Sequence, residues 1–291
     1  MNLGITGATG FIGRRLIDVA LRRGHEVIAF TRDPRRQIPG CTLRLFPEDR
    51  PPDITGCDAL IHLAGEPVVG LWTAAKKRRI RDSRVQGTRR VVEAIAAAAA
   101  PPEVFISGSA IGFYGNRGEE ELTENSGPGS GFLAECSIDW EAEALKAVQT
   151  RVVLLRTAIV LGREGGALRS MLPIFRAGLG GRIGSGRQWM SWIHIEDQVR
   201  LLLFALENME VRGPLNASAP WPARNADFTQ ALAHAVGRPA LLPVPAPFLW
   251  PLGEFRHELL DSKKVLPAAA LDYGFGFRHP ELPKALKDLL G

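Results

Sequence analysis

The chain has 291 residues, 45% of them apolar, and a formal charge of +5, enough to bury a full core as one large or two unequal domains. No apolar run approaches the roughly 18 residues of a membrane span, so no membrane partner is expected. The basic residues are spread out, and their densest cluster, Lys76-Lys-Arg-Arg-Ile-Arg81 with Arg84, has no aromatic stacking residues beside it, which argues against a nucleic-acid partner. Cys41, Cys57 and Cys136 show no paired or metal-like spacing. No metal site is therefore expected, and with no secretory signal legible the expected compartment is a reducing cytoplasm.

In chain order, a short apolar strand at 3–6 runs into Gly7-Ala-Thr-Gly10-Phe-Ile-Gly13. Gly7 can take the backbone angles of a tight turn, Gly10 admits a ligand closely, and Gly13 lets the next helix pack on the strand. The helix N-terminus then points free N–H groups at a pyrophosphate, so Gly7, Thr9, Gly10, Phe11, Ile12 and Gly13 are assigned to a dinucleotide. Phe11, Ile12, Leu16, Val19 and Ala20 share one helical face, with Arg14, Arg15, Arg22 and Arg23 off it. Gly24 ends the helix, and 25–30 reads as a second parallel strand. Thr31, Arg32 and then Asp33 follow it. An NAD-specific site places an acid here for the ribose 2′-hydroxyl, whereas a guanidinium matches a 2′-phosphate. Thr31 and Arg32, helped by Arg35 or Arg36, therefore argue for NADP(H). Asp33 keeps NAD open, and Arg32 is then a solvated loop cation.

Strands at 41–46, 58–64, 104–107 and 151–156 alternate with helices at about 74–99 and 132–148. This rhythm predicts an α/β fold, a Rossmann-like doubly wound parallel sheet covered on both faces. Ligands in such sheets sit beyond the carboxyl ends of the strands. Gly7, Arg32, residues 64–66 and residues 107–109 should converge there, and Leu63, Ala64, Gly65, Glu66, Arg84 and Ser107 join the expected cofactor contacts. Past Gly162 glycine is dense at 165–186 and proline at 214–251, around a strand-like 192–195 and an apolar helix at 199–206. The expected division is a nucleotide-binding domain from 1–162 plus 188–213, and a smaller substrate-binding lobe from 163–187 plus 214–291.

Several motifs carry a family likeness: Gly7-Ala-Thr-Gly-Phe-Ile-Gly13, Leu63-Ala-Gly-Glu-Pro67, Ser83-Arg-Val-Gln-Gly-Thr88 and Ser107-Gly-Ser-Ala-Ile-Gly-Phe-Tyr-Gly115. Phe132-Leu-Ala-Glu135 with Trp140-Glu141, Gly184-Ser-Gly-Arg-Gln-Trp-Met-Ser-Trp-Ile-His-Ile-Glu-Asp197 and Asn225-Ala-Asp-Phe228 continue it. Across nearly its whole length the chain resembles the extended short-chain dehydrogenase/reductases, the nucleotide-sugar epimerase and dehydratase superfamily. Within them it is similar to an atypical epimerase group of uncertain substrate. The resemblance implies an NADP-type cofactor and a Rossmann-like core, and names no reaction.

A typical member passes a proton through a Tyr, whose pKa is lowered by a Lys four residues later, while a Ser or Thr holds the substrate oxygen. Here Ser109 remains, with Ser107 close by. The helix that should carry Tyr-x-x-x-Lys reads Phe132-Leu-Ala-Glu-Cys136, with no proton to give at 132 and no fixed charge at 136. Phe132 is expected to turn its ring to the crevice. Tyr114, one of two tyrosines, is the candidate substitute acid, against the alternative that it packs and bonds internally. Glu66, Glu135 and His194 are further candidate proton carriers, each with a structural alternative, and Lys146 is expected on the surface. The 179–187 glycine-rich stretch resembles a loop that meets substrate phosphates. There Arg187 could clamp an anion, with Trp189 and Trp192 as an apolar wall; the alternative is a plain glycine loop beside core tryptophans. The expectation is an NADP(H)-dependent oxidoreductase or epimerase acting, as monomer or homodimer, on a small anionic or sugar-nucleotide-like molecule. The alternative is an NADP(H)-sensing pseudoenzyme that regulates a protein partner.

Overall fold

A computed structural model describes residues 1–33 and 35–291. Seven parallel strands form its main sheet: β1 (Asn2–Thr6), β2 (Glu26–Thr31), β3 (Cys41–Leu45), β4 (Ala59–His62), β5 (Val104–Ala110), β6 (Arg151–Thr157) and β7 (Gly213–Ala217). Their order is β7-β6-β5-β4-β1-β2-β3, so the winding reverses between β1 and β4 and opens a crevice at their carboxyl ends. Thr6 pairs with Phe30 on one side and His62 on the other, and His62 pairs with Ser107.

The pleat sorts the strand side chains into two cores. Leu3, Ile5, Ile61 and Ile106 face one side with α1 (Phe11–Arg22), while Phe30, Leu60 and Phe105 face the other with α2 (Ala74–Ala97) and α3 (Phe132–Ala144). Both faces are covered, so the strands read as apolar runs rather than alternating ones. A third core gathers α4 (Gly166–Arg176), α6 (Asn225–Ala235) and the C-terminal helix Leu282–Leu290 around the fully buried Trp192, while α5 (Ile195–Glu207) packs on α1. No helix among the described residues is long and apolar enough to cross a membrane.

Three expectations shift. Pro214–Ala217 pairs with Leu154–Thr157, so the expected lobe boundary at 213/214 cuts through an edge strand of the sheet. The C-terminal segment also returns to the sheet, where Ala270 and Phe275 join the first core. Ile195 is not strand but the first residue of α5, capped by His194, whose Nδ1 accepts the Glu196 N–H at 3.1 Å.

Candidate functional site

Gly7 has φ +68°, and a Cβ there would lie 2.7 Å from the Leu63 carbonyl carbon; at Gly13 it would lie 2.3 Å from the Gly7 oxygen. Only glycine allows the turn and the helix to sit this close to the β4 loop. Gly10 caps α1 with no side-chain bond and no acid follows in the first turn, so the helix N–H groups are left for an anion. These features fit a dinucleotide pyrophosphate. Gly7, Thr9 and Gly10 open onto a cavity of about 630 Å³, together with Thr31, Arg32 and the loop from Leu63 to Glu66. Of the expected contacts, Phe11 instead packs its ring against Gly162 and Gly165. Ser107 is buried, with its hydroxyl turned to the Gly108 carbonyl. Arg84 lies behind Gly65.

Around the end of β2 this cavity is lined by Arg32, Arg36 and Arg90 together with the acids Asp33 and Glu48. Arg32, mostly exposed, lies 3.5 Å from Glu48, and Arg36 and Arg90 share the wall. Arg90 donates to the Glu48 carbonyl at 2.8 Å and sits over the Phe46 ring. Opposite, Glu66 accepts from Lys76 at 2.7 Å, which holds its carboxyl below the usual range. Arg79, Asp82, Ser83 and Arg90 also line the cavity and were missed in the sequence. The legible signal was helical: 79, 83 and 90 form one polar stripe of α2 that starts in its basic cluster.

The expected catalytic pair, Ser109 and Tyr114, is displaced from the crevice. β5 runs to Ala110, three residues beyond its expected end, so Ser109 pairs with Arg156 inside the sheet. Its hydroxyl donates to Glu141 at 2.6 Å, and Arg156 grips the same carboxylate with two bonds of 2.8 Å. Arg156 also donates to the Tyr114 oxygen at 3.0 Å, and that phenol donates to Asn216 at 2.7 Å. Tyr114 is 0% exposed and burial pushes its pKa up, opposite to what a proton relay needs. Both residues belong to a buried structural network, and neither touches either cavity.

α3 instead presents Phe132 to a second cavity of about 390 Å³. Phe132 is half-buried, edge-on to Trp72 at 5.3 Å, with Lys77 over its ring. Cys136, one turn on, is a buried thiol that burial pushes up. The far wall comes from the C-terminal segment: Glu254, His257, Glu258, Asp261 and Lys263. Lys263, 7% exposed, lies 3.3 Å from Glu258, and His257 lies 3.7 Å from Asp261, whose carboxyl burial pushes up. These residues were not singled out in the sequence, although 254/258 and 257/261 share helical i,i+4 spacing.

The remaining candidates lie elsewhere. Arg187 is exposed and turns its carbonyl to Arg224. The Trp189 indole donates to Glu119 at 2.9 Å, with Arg224 and Lys264 over its ring. The strand Trp189–Met190 pairs with Ala223–Arg224, and neither Arg187 nor Trp189 lines either cavity, although Trp189 accepts from the Lys263 N–H behind the second one. Trp192 is core, Glu135 is exposed, and Lys146 pairs with Glu143 at the surface. His194, His279 and Asp288 bring three ligand-type atoms within 4.8 Å of one another. His194 Nδ1 is already an acceptor, so Nε2 carries the ring proton and does not suit a metal; Asp288 lies 3.3 Å from it without forming a hydrogen bond.

With this geometry in view, the family model for the NAD dependent epimerase/dehydratase family matches residues 3–217. The chain belongs to that family. A model for a domain of unknown function, DUF1731, matches 243–289, the segment that supplies the far wall of the second cavity. An epimerase family protein SDR39U1 homolog, chloroplastic, of Arabidopsis thaliana is 38% identical over all of this chain and 87% of its own length. The crystal structure of human epimerase family protein SDR39U1 with NADPH superposes with a TM-score of 0.92 at 35% identity, covering 100% of this chain and 99% of that one. A nucleoside-diphosphate sugar epimerase from Corynebacterium glutamicum matches all of this chain and 58% of its own, at 34% identity and a TM-score of 0.83.

Proposed function

We propose that this chain binds NADP(H) in the first cavity and works as an epimerase-like oxidoreductase on a small anionic or sugar-nucleotide-like substrate held in the second. One observation carries the reading: the glycine cradle of Gly7, Gly10 and Gly13 and the arginines Arg32, Arg36 and Arg90 meet at one crevice. A 2′-phosphate suits those guanidiniums, and a pyrophosphate suits the uncapped start of α1. The NADPH-bound human relative supports the same cofactor. When bound, the nicotinamide supplies the hydride carrier; the chain supplies binding, orientation and proton handling.

In the second cavity Phe132, Leu133 and Ala134 form the first turn of α3, whose cap Gly131 makes no side-chain bond. Their N–H groups face an anionic substrate group. Phe132 carries no proton, and Ser109 and Tyr114 are locked in their network. Proton transfer therefore falls to His257 and Asp261. Three unpaired thiols suit a reducing compartment such as the cytoplasm. Titration with NADPH and NADH tests the cofactor. A panel of carbonyl compounds and sugar nucleotides, followed by loss of NADPH absorbance, tests the reaction. Turnover that His257→Gln abolishes without loss of NADPH affinity is the expected result, and turnover that survives it contradicts the assignment.

A second reading, an NADP(H) sensor acting on a protein partner, is favoured by Phe132 and Cys136 standing where the relay pair would be. Complete inertness of the wild type across the panel, with NADPH still bound, would be the expected result for it.

A further inference from the structure

Two acid-free segments meet at the surface beside the third core. Residues 165–195 contain no Asp or Glu, and neither do residues 228–253. Backbone bonds set them side by side. Gly184 donates to the Val244 carbonyl and Val244 to the Arg182 carbonyl, both at 2.8 Å, while Leu179 closes the end of α4 by donating to Ile174 at 3.1 Å. Residues 239–252 carry no polar side chain at all, and their prolines keep them from an α-helix or a central strand. In the 3₁₀ turns of Ala246–Phe255 only Leu249 is buried. Phe248 on one side of it is 76% exposed and Trp250 on the other 68%, with Leu241 upstream at 78%. Ile174, Leu179 and Leu242 are more than half exposed as well. These side chains line neither cavity. A continuous apolar face left in water marks a binding surface.

Its charge says what it binds. Arg176, Arg182 and Arg238 flank the apolar tips, all three exposed and none in an ion pair among the described residues. The first acid past the face, Glu254, is held by Lys77. A second copy brought face to face would set arginine against arginine with no acid between them. A protein partner must offer a matching pocket to each aromatic anchor. A lipid interface accepts such tips without pockets, takes Trp and Phe at headgroup depth, and offers phosphates to the arginines.

We propose that this face docks on an anionic lipid surface. Leu241, Leu242, Phe248 and Trp250 enter the boundary between headgroups and acyl chains, and Arg176, Arg182 and Arg238 meet the phosphates. The expectation of no membrane partner rested on spans alone, and a face that lies on a bilayer needs no span.

The test is co-sedimentation of the full-length protein with vesicles of phosphatidylcholine alone and of equal parts phosphatidylcholine and phosphatidylglycerol. Wild type should bind the anionic vesicles at least about tenfold more tightly than the neutral ones, and raised salt should erase the difference. Phe248→Ser/Trp250→Ser should weaken anionic binding at least about tenfold while unfolding at the same denaturant concentration, since both side chains are exposed. If that variant does not fold, Leu241→Ser/Leu242→Ser is read in its place. Arg176→Gln/Arg182→Gln should lose a similar factor. Arg22→Gln/Arg78→Gln, which removes the same charge from exposed positions elsewhere, should bind as wild type does. No binding of wild type to anionic vesicles overturns the proposal. So does binding untouched by the Phe248/Trp250 change, or an equal loss in the Arg22/Arg78 variant, which would mean general charge attraction. Self-association that the Phe248/Trp250 change abolishes, with no vesicle binding, would make the face a contact between copies and overturn it too.

Discussion

Tyr114 shows how a residue with the right chemistry can be held for structure alone. Its hydroxyl is both donor to Asn216 and acceptor from Arg156, and its ring is wholly buried. Tyr114→Phe should cost about 1–3 kcal/mol, because two buried partners lose a bond, and should leave NADPH affinity unchanged. Denaturant unfolding and a cofactor titration measure the two effects separately. Glu141→Ala should cost more, about 3–5 kcal/mol, since it strands the Arg156 guanidinium in the core. His62 gives the pH signature. It is fully buried, bonded through Nδ1 to the Thr6 hydroxyl at 2.7 Å, and burial lowers its pKa to about 3. The unfolded chain takes up a proton near pH 6.5 that the native ring refuses, so this contribution is intact above that pH and fades as pH falls towards about 3. Near pH 5 the slope should approach about 1.4 kcal/mol per pH unit for one proton. Unfolding free energies of wild type and His62→Asn between pH 7 and 5 check it, and equal slopes would count against the buried neutral ring.

At the scale of elements, the sequence was legible where local signals and tertiary packing agreed. The glycine turn, α1 and the strands to β6 follow from apolar runs between breakers. α2 starts where Thr73 caps it by accepting the Lys76 N–H at 3.2 Å. Elsewhere local texture hid the answer. Leu168, Leu172 and Phe175 mark α4 at helical spacing, but Gly165 and Gly166 beside them read as loop. Phe228 and Leu232 mark α6 within a proline-rich surrounding. Both helices depend on burying those faces around Trp192, and propensity alone does not show that. The end of β5 was the costly misreading: three extra residues of pairing decided whether Ser109 met ligand or Glu141. The Phe132 expectation rested on residue identity and needed no element boundary, but the ring lines the second cavity and not the crevice at the glycine turn.

For the whole molecule, the C-terminal segment is an integral wall held by carboxylates with backbone partners. Asp197 is fully buried and accepts the N–H groups of Arg278 and His279 at 2.9 and 2.8 Å as well as Arg200. Glu124 likewise ties Asn216 on the sheet to Ala269 beyond the second cavity. Asp197→Asn removes the charge from these bonds, each worth about 1.5–3 kcal/mol when charged. It should loosen 278–290 in hydrogen exchange before β1 or β4 opens; uniform exchange across the chain would argue against this local anchoring.

The proposed preference for NADP(H) is decided at the arginine-lined wall of the first cavity. The measurement is the ratio of NADPH to NADH dissociation constants, by tryptophan quenching, in wild type and Arg32→Ala. Arg32 lies in that wall, mostly exposed, in a loose contact with Glu48 and beside Asp33. The ratio should favour NADPH by at least about tenfold in wild type, as one fork contact to a phosphate provides, and should shrink in the alanine variant with little change for NADH. Equal affinities in wild type, or a preference untouched by Arg32→Ala, would contradict it.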